Sequence, residues 1–294
     1  MRWWRAATFG VLLVVSAGCG VKSIYNNLDR LILWSVDDFI EMDERQEAFF
    51  KSRLGVFLYW HRTTQLPLYA RGLERIEREV RDGLTLEELV SLETMVTGWT
   101  ETLIVETIPF AAEMLHSLSD AQIVQLEKGF AKNNEKWLKP YSSLDLEARR
   151  KRWTKEYDDM LENFVGDLTP AQRDLIARFG ARWEPDDATW LEYRQRWQAD
   201  LVALVRKRLS LTEFELAFRD MSVNRERWYG EEYQRIFTAN EAMYRTLTIE
   251  VLASLDGRQK AELSKNLLAW AQDFDELVAE SPPLAPPAAC LATC

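Results

Sequence analysis

The stretch Trp153-Thr-Lys-Glu-Tyr157-Asp-Asp-Met160-Leu161-Glu-Asn-Phe164-Val-Gly166-Asp-Leu168-Thr169-Pro170-Ala171-Gln172 decides the fold. Its apolar residues return every three or four positions, which places them on one stripe of an α-helix. Gly166 can close that helix in a left-handed conformation. A new helix then starts in the capping-box pattern: the Thr169 hydroxyl accepts from the amide three residues on, and the Gln172 side chain reaches back to the cap amide. Pro170 fits the first helical position, where its missing N–H costs nothing.

Three further helix starts are written in related words: Leu84-Thr85-Leu86-Glu87-Glu88, Leu118-Ser119-Asp120-Ala121-Gln122 and Leu255-Asp256-Gly257-Arg258-Gln259. Leu84 with Leu89, and Leu118 with Ile123, have hydrophobic-staple spacing. Their irregular intervals do not make a solenoid of fixed period. Helical periodicity also marks Trp197, Leu201, Leu204 and Val205, and runs from Tyr233 to Val251. No segment alternates with period two. With 12 Gly and 9 Pro in 294 residues, few breakers interrupt these patterns. The expected helices are 28–63, 66–82, 86–116, 120–138, 144–165, 170–183, 187–208, 212–228, 231–253 and 257–279. The expected fold is all-α: an irregular multi-helix bundle over residues 28–280, either one body or two closely packed halves.

Both ends read differently. Arg2 and Arg5, an apolar run from Ala6 to Val15 and then Ser16-Ala17-Gly18-Cys19 form the pattern of a lipoprotein signal peptide over residues 1–18. The run is too short for a bilayer span, which needs about 20 residues. Cys19 is the expected lipidation site; Ser16 stands where a lipobox usually has Leu. Gly20, rather than Asp, after the cysteine points to the periplasmic face of the outer membrane. Residues 19–27 are expected to be a lipidated tether, the eight from Gly20 to Asn27 spanning at most about 26–29 Å. Residues 281–294, rich in Pro and Ala, are expected to be a disordered tail. In an oxidising compartment Cys290 and Cys294 could form a local disulfide or cross-link to a partner.

The chain carries 37 basic and 47 acidic residues; losing Arg2 and Arg5 with the signal peptide leaves 35 basic and a net charge of −12. This excludes nucleic acid as a natural partner. The dense basic run Arg149-Arg150-Lys151-Arg152 is flanked by Glu147 and Glu156 and reads as a solvated helix face.

Cys19, then Tyr25-Asn26-Asn27-Leu28-Asp29, Trp34, Asp37-Asp38-Phe39, Trp60-His61-Arg62, Leu66-Pro67 and Tyr69 resemble a family of proteobacterial lipoproteins of unknown function. The similarity extends over nearly the whole mature chain. It implies a helical lipoprotein and supplies no activity, cofactor or catalytic residue. The helix-start words, Leu168 to Gln172 above all, also resemble the Leu-Thr-x-x-Gln motif of the Spy and CpxP periplasmic chaperones, which cradle unfolded clients.

His61 is the best single candidate for acid–base chemistry or ligation, being one of two histidines and set among aromatic residues before Pro67. It lacks a sequence-local nucleophile or second ligand, and His116 is isolated. Asp37, Asp38, Glu41, Asp43 and Glu44 form the densest acidic group, with Asp37 and Glu41 expected on one helix face. There is no phosphate-binding Gly loop, no nucleophile elbow and no spaced Cys/His set. No metal or cofactor is expected. The expected function is non-catalytic: a membrane-anchored envelope module binding another protein or the cell wall. The alternatives are a chaperone-like client binder and an envelope hydrolase centred on His61.

Overall fold

The computed structural model describes residues 20–281, so the expected signal peptide, Cys19, Cys290 and Cys294 lie outside the described residues. The described chain is all α-helical, without strands. In order it forms α1 (Val21–Tyr25), α2 (Leu28–Asp37), α3 (Glu44–Trp60), a π-helical turn (His61–Gln65), α4 (Leu66–Asp82), α5 (Leu86–His116), α6 (Asp120–Leu138) and α7 (Leu146–Val165). There follow α8 (Pro170–Gly180), α9 (Asp187–Arg206), α10 (Leu211–Val223), a 3₁₀ turn (Arg225–Trp228), α11 (Glu231–Ser254) and α12 (Gly257–Ala279).

Two hydrophobic cores organise these helices. The first gathers Phe49, Phe50 and Leu54 of α3, Ile108, Ala112 and Met114 of α5, Ile123 and Leu126 of α6, and apolar residues of α9 and α10. The second gathers Trp153, Leu161 and Val165 of α7, Ile176 and Phe179 of α8, Leu247 and Val251 of α11, and Leu263 and Leu267 of α12, with Leu73, Ile76 and Val80 of α4 alongside. Helix α5 joins them: its C-terminal half is buried in the first core, while Glu93 near its start pairs with Arg245 of α11 at 2.7 Å. Burial of apolar area on both sides, at about 25 cal/mol per Å², is what holds helices with many charged outer residues together.

The chain departs from the expected helices at three places. The span 28–63 is broken between Asp37 and Glu44, because Ile40 turns into the first core and Asp43 caps α3 by accepting from the Gln46 amide at 2.8 Å. Pro67 does not end a helix; it falls in the first turn of α4, after a π-helical turn that carries the chain on without a loop. The span 212–228 stops at Val223, and the 3₁₀ turn beyond it delivers the Trp228 indole N–H to Asp200 at 2.7 Å. At the other boundaries Gly83 and Gly166 follow α4 and α7 at positive φ, 101° and 77°.

Gly129 on α6 is where the broken N-terminal segment rests, since a Cβ there would lie 2.8 Å from the Phe39 Cα and 3.0 Å from the Asp38 carbonyl oxygen. Backbone cannot swing away as a side-chain tip can. Gly129→Ala is therefore expected to destabilise the protein by about 1–3 kcal/mol, measured by urea melts. A neutral or stabilising change would show that the Asp38–Phe39 connection is not packed there.

Candidate functional site

Residues that lie far apart in the sequence meet at the end of α3. Tyr25 of α1 places its hydroxyl 2.7 Å from His61 Nδ1, with the two rings stacked at 5.6 Å. Phe57 stacks on His61 at 6.2 Å and Tyr69 meets it edge-on at 5.5 Å. The π-helical turn sets this geometry: widening the backbone at His61–Gln65 rotates the imidazole toward α1, and such bulges recur where a side chain must be re-aimed. Arg62 closes the outer side, its guanidinium 5.0 Å from the Tyr25 ring and donating to Asn26 Oδ1.

Electrostatics follow from enclosure. Burial among rings disfavours the imidazolium and lowers the His61 pKa from 6.5 to about 4. Burial pushes the Tyr25 phenol up to about 12, opposed in part by Arg62. With its proton on Nε2 the neutral ring accepts the Tyr25 hydroxyl at Nδ1; with its proton on Nδ1 it donates to that hydroxyl, which then donates to the Leu58 carbonyl at 3.5 Å. The Tyr69 hydroxyl is buried without a hydrogen-bond partner, and burial raises its pKa. Lys22 bonds both Glu276 of α12 and Glu280 just beyond its end at 2.7 Å, and these contacts raise its pKa. Residues 20–27, expected to belong to a tether, are thus folded onto the body through Lys22 and Tyr25.

This arrangement suits holding better than catalysis. One imidazole nitrogen is engaged by Tyr25, the ring is a weak base, and the hydroxyls in its surroundings are unionised phenols. His116 sits elsewhere, its Nε2 2.8 Å from the Leu209 carbonyl and its ring edge-on to Phe214.

The capping words form a second construction. Thr85, Ser119, Thr169 and Asp256 stand at the N-caps of α5, α6, α8 and α12, each in a reciprocal box with Glu88, Gln122, Gln172 and Gln259 respectively. Asp43–Gln46 and Ser210–Glu213, which sequence reading missed, are two more. The boxes ending in Gln pair with one another. Gln172 Nε2 donates to Gln259 Oε1 at 2.8 Å and Gln259 Nε2 to Gln172 Oε1 at 2.9 Å, across 87 residues of sequence. The remaining amide hydrogens reach the Ser254 carbonyl at 3.1 Å and the Asp167 carbonyl at 2.9 Å. Gln46 and Gln122 repeat this bond for bond, with each other at 3.1 and 2.6 Å and with the Ser117 and Glu41 carbonyls at 3.4 and 2.9 Å. Ser117 and Ser254 stand two residues before their caps, as do Glu41 and Asp167, so each core is closed by the same clasp.

The signal for the clasp was Gln against Glu at the third helical position. An amide both donates and accepts, so two can dimerise; two carboxylates cannot. The Glu-based boxes Thr85–Glu88 and Ser210–Glu213 accordingly stay at the surface.

The charged runs resolve into structural ties. Arg149 pairs with Asp187 and donates to the Tyr141 carbonyl, Arg150 donates to the Trp183 carbonyl at 2.9 Å, and Arg152 bonds Glu156 at 2.6 Å. An open groove of about 910 Å³ beside them mixes Arg150, Lys151, Lys155 and Arg173 with Asp158 and Asp159. The acidic group is dispersed by the break after α2, so Asp37 and Glu41 do not share a helix face. Among the described residues no cluster of His, Cys, Asp or Glu has metal-holding geometry, and no helix is long and apolar enough to cross a membrane.

Neither the curated proteins nor the solved structures contain a match to this chain. A family model does match, over residues 38–235, a segment that includes Trp60, His61, Arg62 and Tyr69 and begins after Tyr25 and Trp34. With most of its length matched, the chain belongs to the family of unknown function DUF6279.

Proposed function

We propose that this protein is a lipid-anchored envelope protein, attached through Cys19, whose helical body presents a binding surface for another protein or the cell wall close to the membrane. The observation that carries this reading is the docking of the residues after Cys19: Lys22 on α12 and Tyr25 on His61 leave almost no free tether. A body held this way meets a membrane-proximal partner at raised effective concentration. The placement of Gly20 supports the outer membrane's periplasmic face. Against a hydrolase centred on His61 stand its weak basicity and its engagement by Tyr25. Against a chaperone reading of the capping words, Gln46, Gln122, Gln172 and Gln259 are buried in the clasps and consumed by internal bonds.

Cys19→Ser is expected to abolish labelling by a fatty-acid probe and to release the body from membranes. Persistence of the label would remove the anchor. A long flexible linker inserted between Cys19 and Gly20 should leave labelling intact but fail to complement a deletion; full complementation would instead favour a protein acting on diffusing clients.

A further inference from the structure

Helix α2 contributes no fully buried residue. Ile32, Leu33 and Val36 pack against the first core, whereas Leu31 and Trp34, three residues apart and so on one face, point outward. Trp34 is 75% exposed and Leu31 44% exposed, and Trp34 is the most exposed large apolar side chain among the described residues. We propose that this face of α2 docks on the lipid surface to which Cys19 is anchored, with the Trp34 indole at the headgroup level and Leu31 beside it. The inference rests on the anchored reading of Cys19 and adds a second contact that fixes how the body lies on the bilayer.

Three observations choose lipid as the occupant. The path from Gly20, next to Cys19 in sequence, to Trp34 runs through α1 and α2. At 1.5 Å per helical residue and up to 3.8 Å per connecting residue, the chain path from Cys19 to Trp34 spans at most roughly 35 Å. Lys22 and Tyr25 clamp α1 to the body, so the path from α1 to α2 is held. The Trp34 ring is open to the surroundings, and a ring with an apolar body and one polar tip partitions to the membrane–water interface. Finally, a net charge of −12 for the mature chain, with Asp29 and Asp37 outweighing Arg30 on α2 itself, gives no net attraction to anionic headgroups. The contact is therefore apolar insertion into a zwitterionic surface, oriented by the acyl chains that supply the affinity.

The test places a photoreactive benzophenone amino acid at position 34 of the full-length protein, in its own envelope, with Leu216 of α10 as control position; Leu216 is 64% exposed and lies on another element. Both sites are exposed, so neither exchange disturbs a core. Irradiation at position 34 should give phospholipid adducts at no less than five times the yield at position 216. A protein adduct at 34, or equal lipid yields at both sites, overturns the docking. Labelling of Cys19 is scored in the same cells. A labelled Cys19 without the lipid adduct removes the docking and leaves the anchor, while an adduct on an unlabelled protein removes the anchor and leaves the docking.

Discussion

Replacing Gln259 with alanine is expected to cost about 3–4 kcal/mol, the largest effect of any single side chain outside the apolar cores. Gln259 is 0% exposed, and its amide meets four groups: it accepts from the Asp256 amide at 3.1 Å and from Gln172, and donates to Gln172 and to the Asp167 carbonyl. Truncation removes those bonds and leaves each partner in a place water does not easily reach. A buried unsatisfied group costs about 1–3 kcal/mol, and the vacated side-chain volume adds to this, with relaxation returning part. Glu88→Ala, at a box of similar local geometry but open to solvent, should cost only about 0.5–1 kcal/mol, because water replaces what is lost. The pair carries the decisive measurement. If the clasp acts as a unit, Gln172→Ala with Gln259→Ala should cost about 1–2 kcal/mol less than the two single changes together, since the second truncation removes a partner already orphaned. Additivity within about 0.5 kcal/mol would mean that the two amides contribute separately, as ordinary caps.

How much of this could be read from the chain depended on the range of the interaction. Helix class and most helix starts are local properties. Thr169, Pro170 and Gln172 specify their turn from within four residues, and so do Ser119 with Gln122 and Asp256 with Gln259. The break after Asp37 was hidden because the residues there are compatible with helix; what ends α2 is the demand that Ile40 enter a core built largely from later elements. Pro67 misled in the opposite sense, since in a first helical turn a proline breaks nothing. The clasps needed the knowledge that Gln172 and Gln259 lie side by side, which no local pattern contains. Only the choice of Gln over Glu hinted at it. For the site, Tyr25, Asn26, His61, Arg62 and Tyr69 could all be singled out as words, but their convergence rests on the π-helical turn, for which His61-Arg-Thr-Thr-Gln65 carries no recognised signature.

Acidification from pH 6.5 to 4 should remove about 3 kcal/mol of stability through His61 alone. The folded state holds the ring neutral down to about pH 4, while in the unfolded chain it protonates near its ordinary 6.5. Between those values the unfolded chain binds a proton that the folded chain refuses, so stability falls as pH falls across that window. Above 6.5 neither state is protonated, and below 4 both are, so the contribution is flat outside it. Carboxylates also take up protons on acidification, Glu276 later than usual because its bond with Lys22 lowers its pKa, so the raw pH curve mixes several groups. Subtracting the curve of His61→Gln isolates the imidazole, because a glutamine oxygen can still accept from the Tyr25 hydroxyl but does not titrate. That difference should decline by about 3 kcal/mol from pH 6.5 to 4 and then level off. The ring signal that vanishes in His61→Gln should titrate near 4 in the folded protein. A midpoint near 6.5, or a difference curve that rises toward acid, would place the ring in water or beside a carboxylate and undo the enclosed site. The first structural consequence should appear at α1. A protonated ring must donate from Nδ1, so the 2.7 Å contact reverses: the Tyr25 oxygen accepts, its own proton is left to the Leu58 carbonyl at 3.5 Å, and the imidazolium charge is shut away from water behind α1. Hydrogen exchange in residues 21–27 should therefore quicken as His61 takes up its proton, while Lys22 stays paired as long as Glu276 remains ionised. The side chain read first as a catalytic candidate would then be the one that decides how tightly α1 is held to the body.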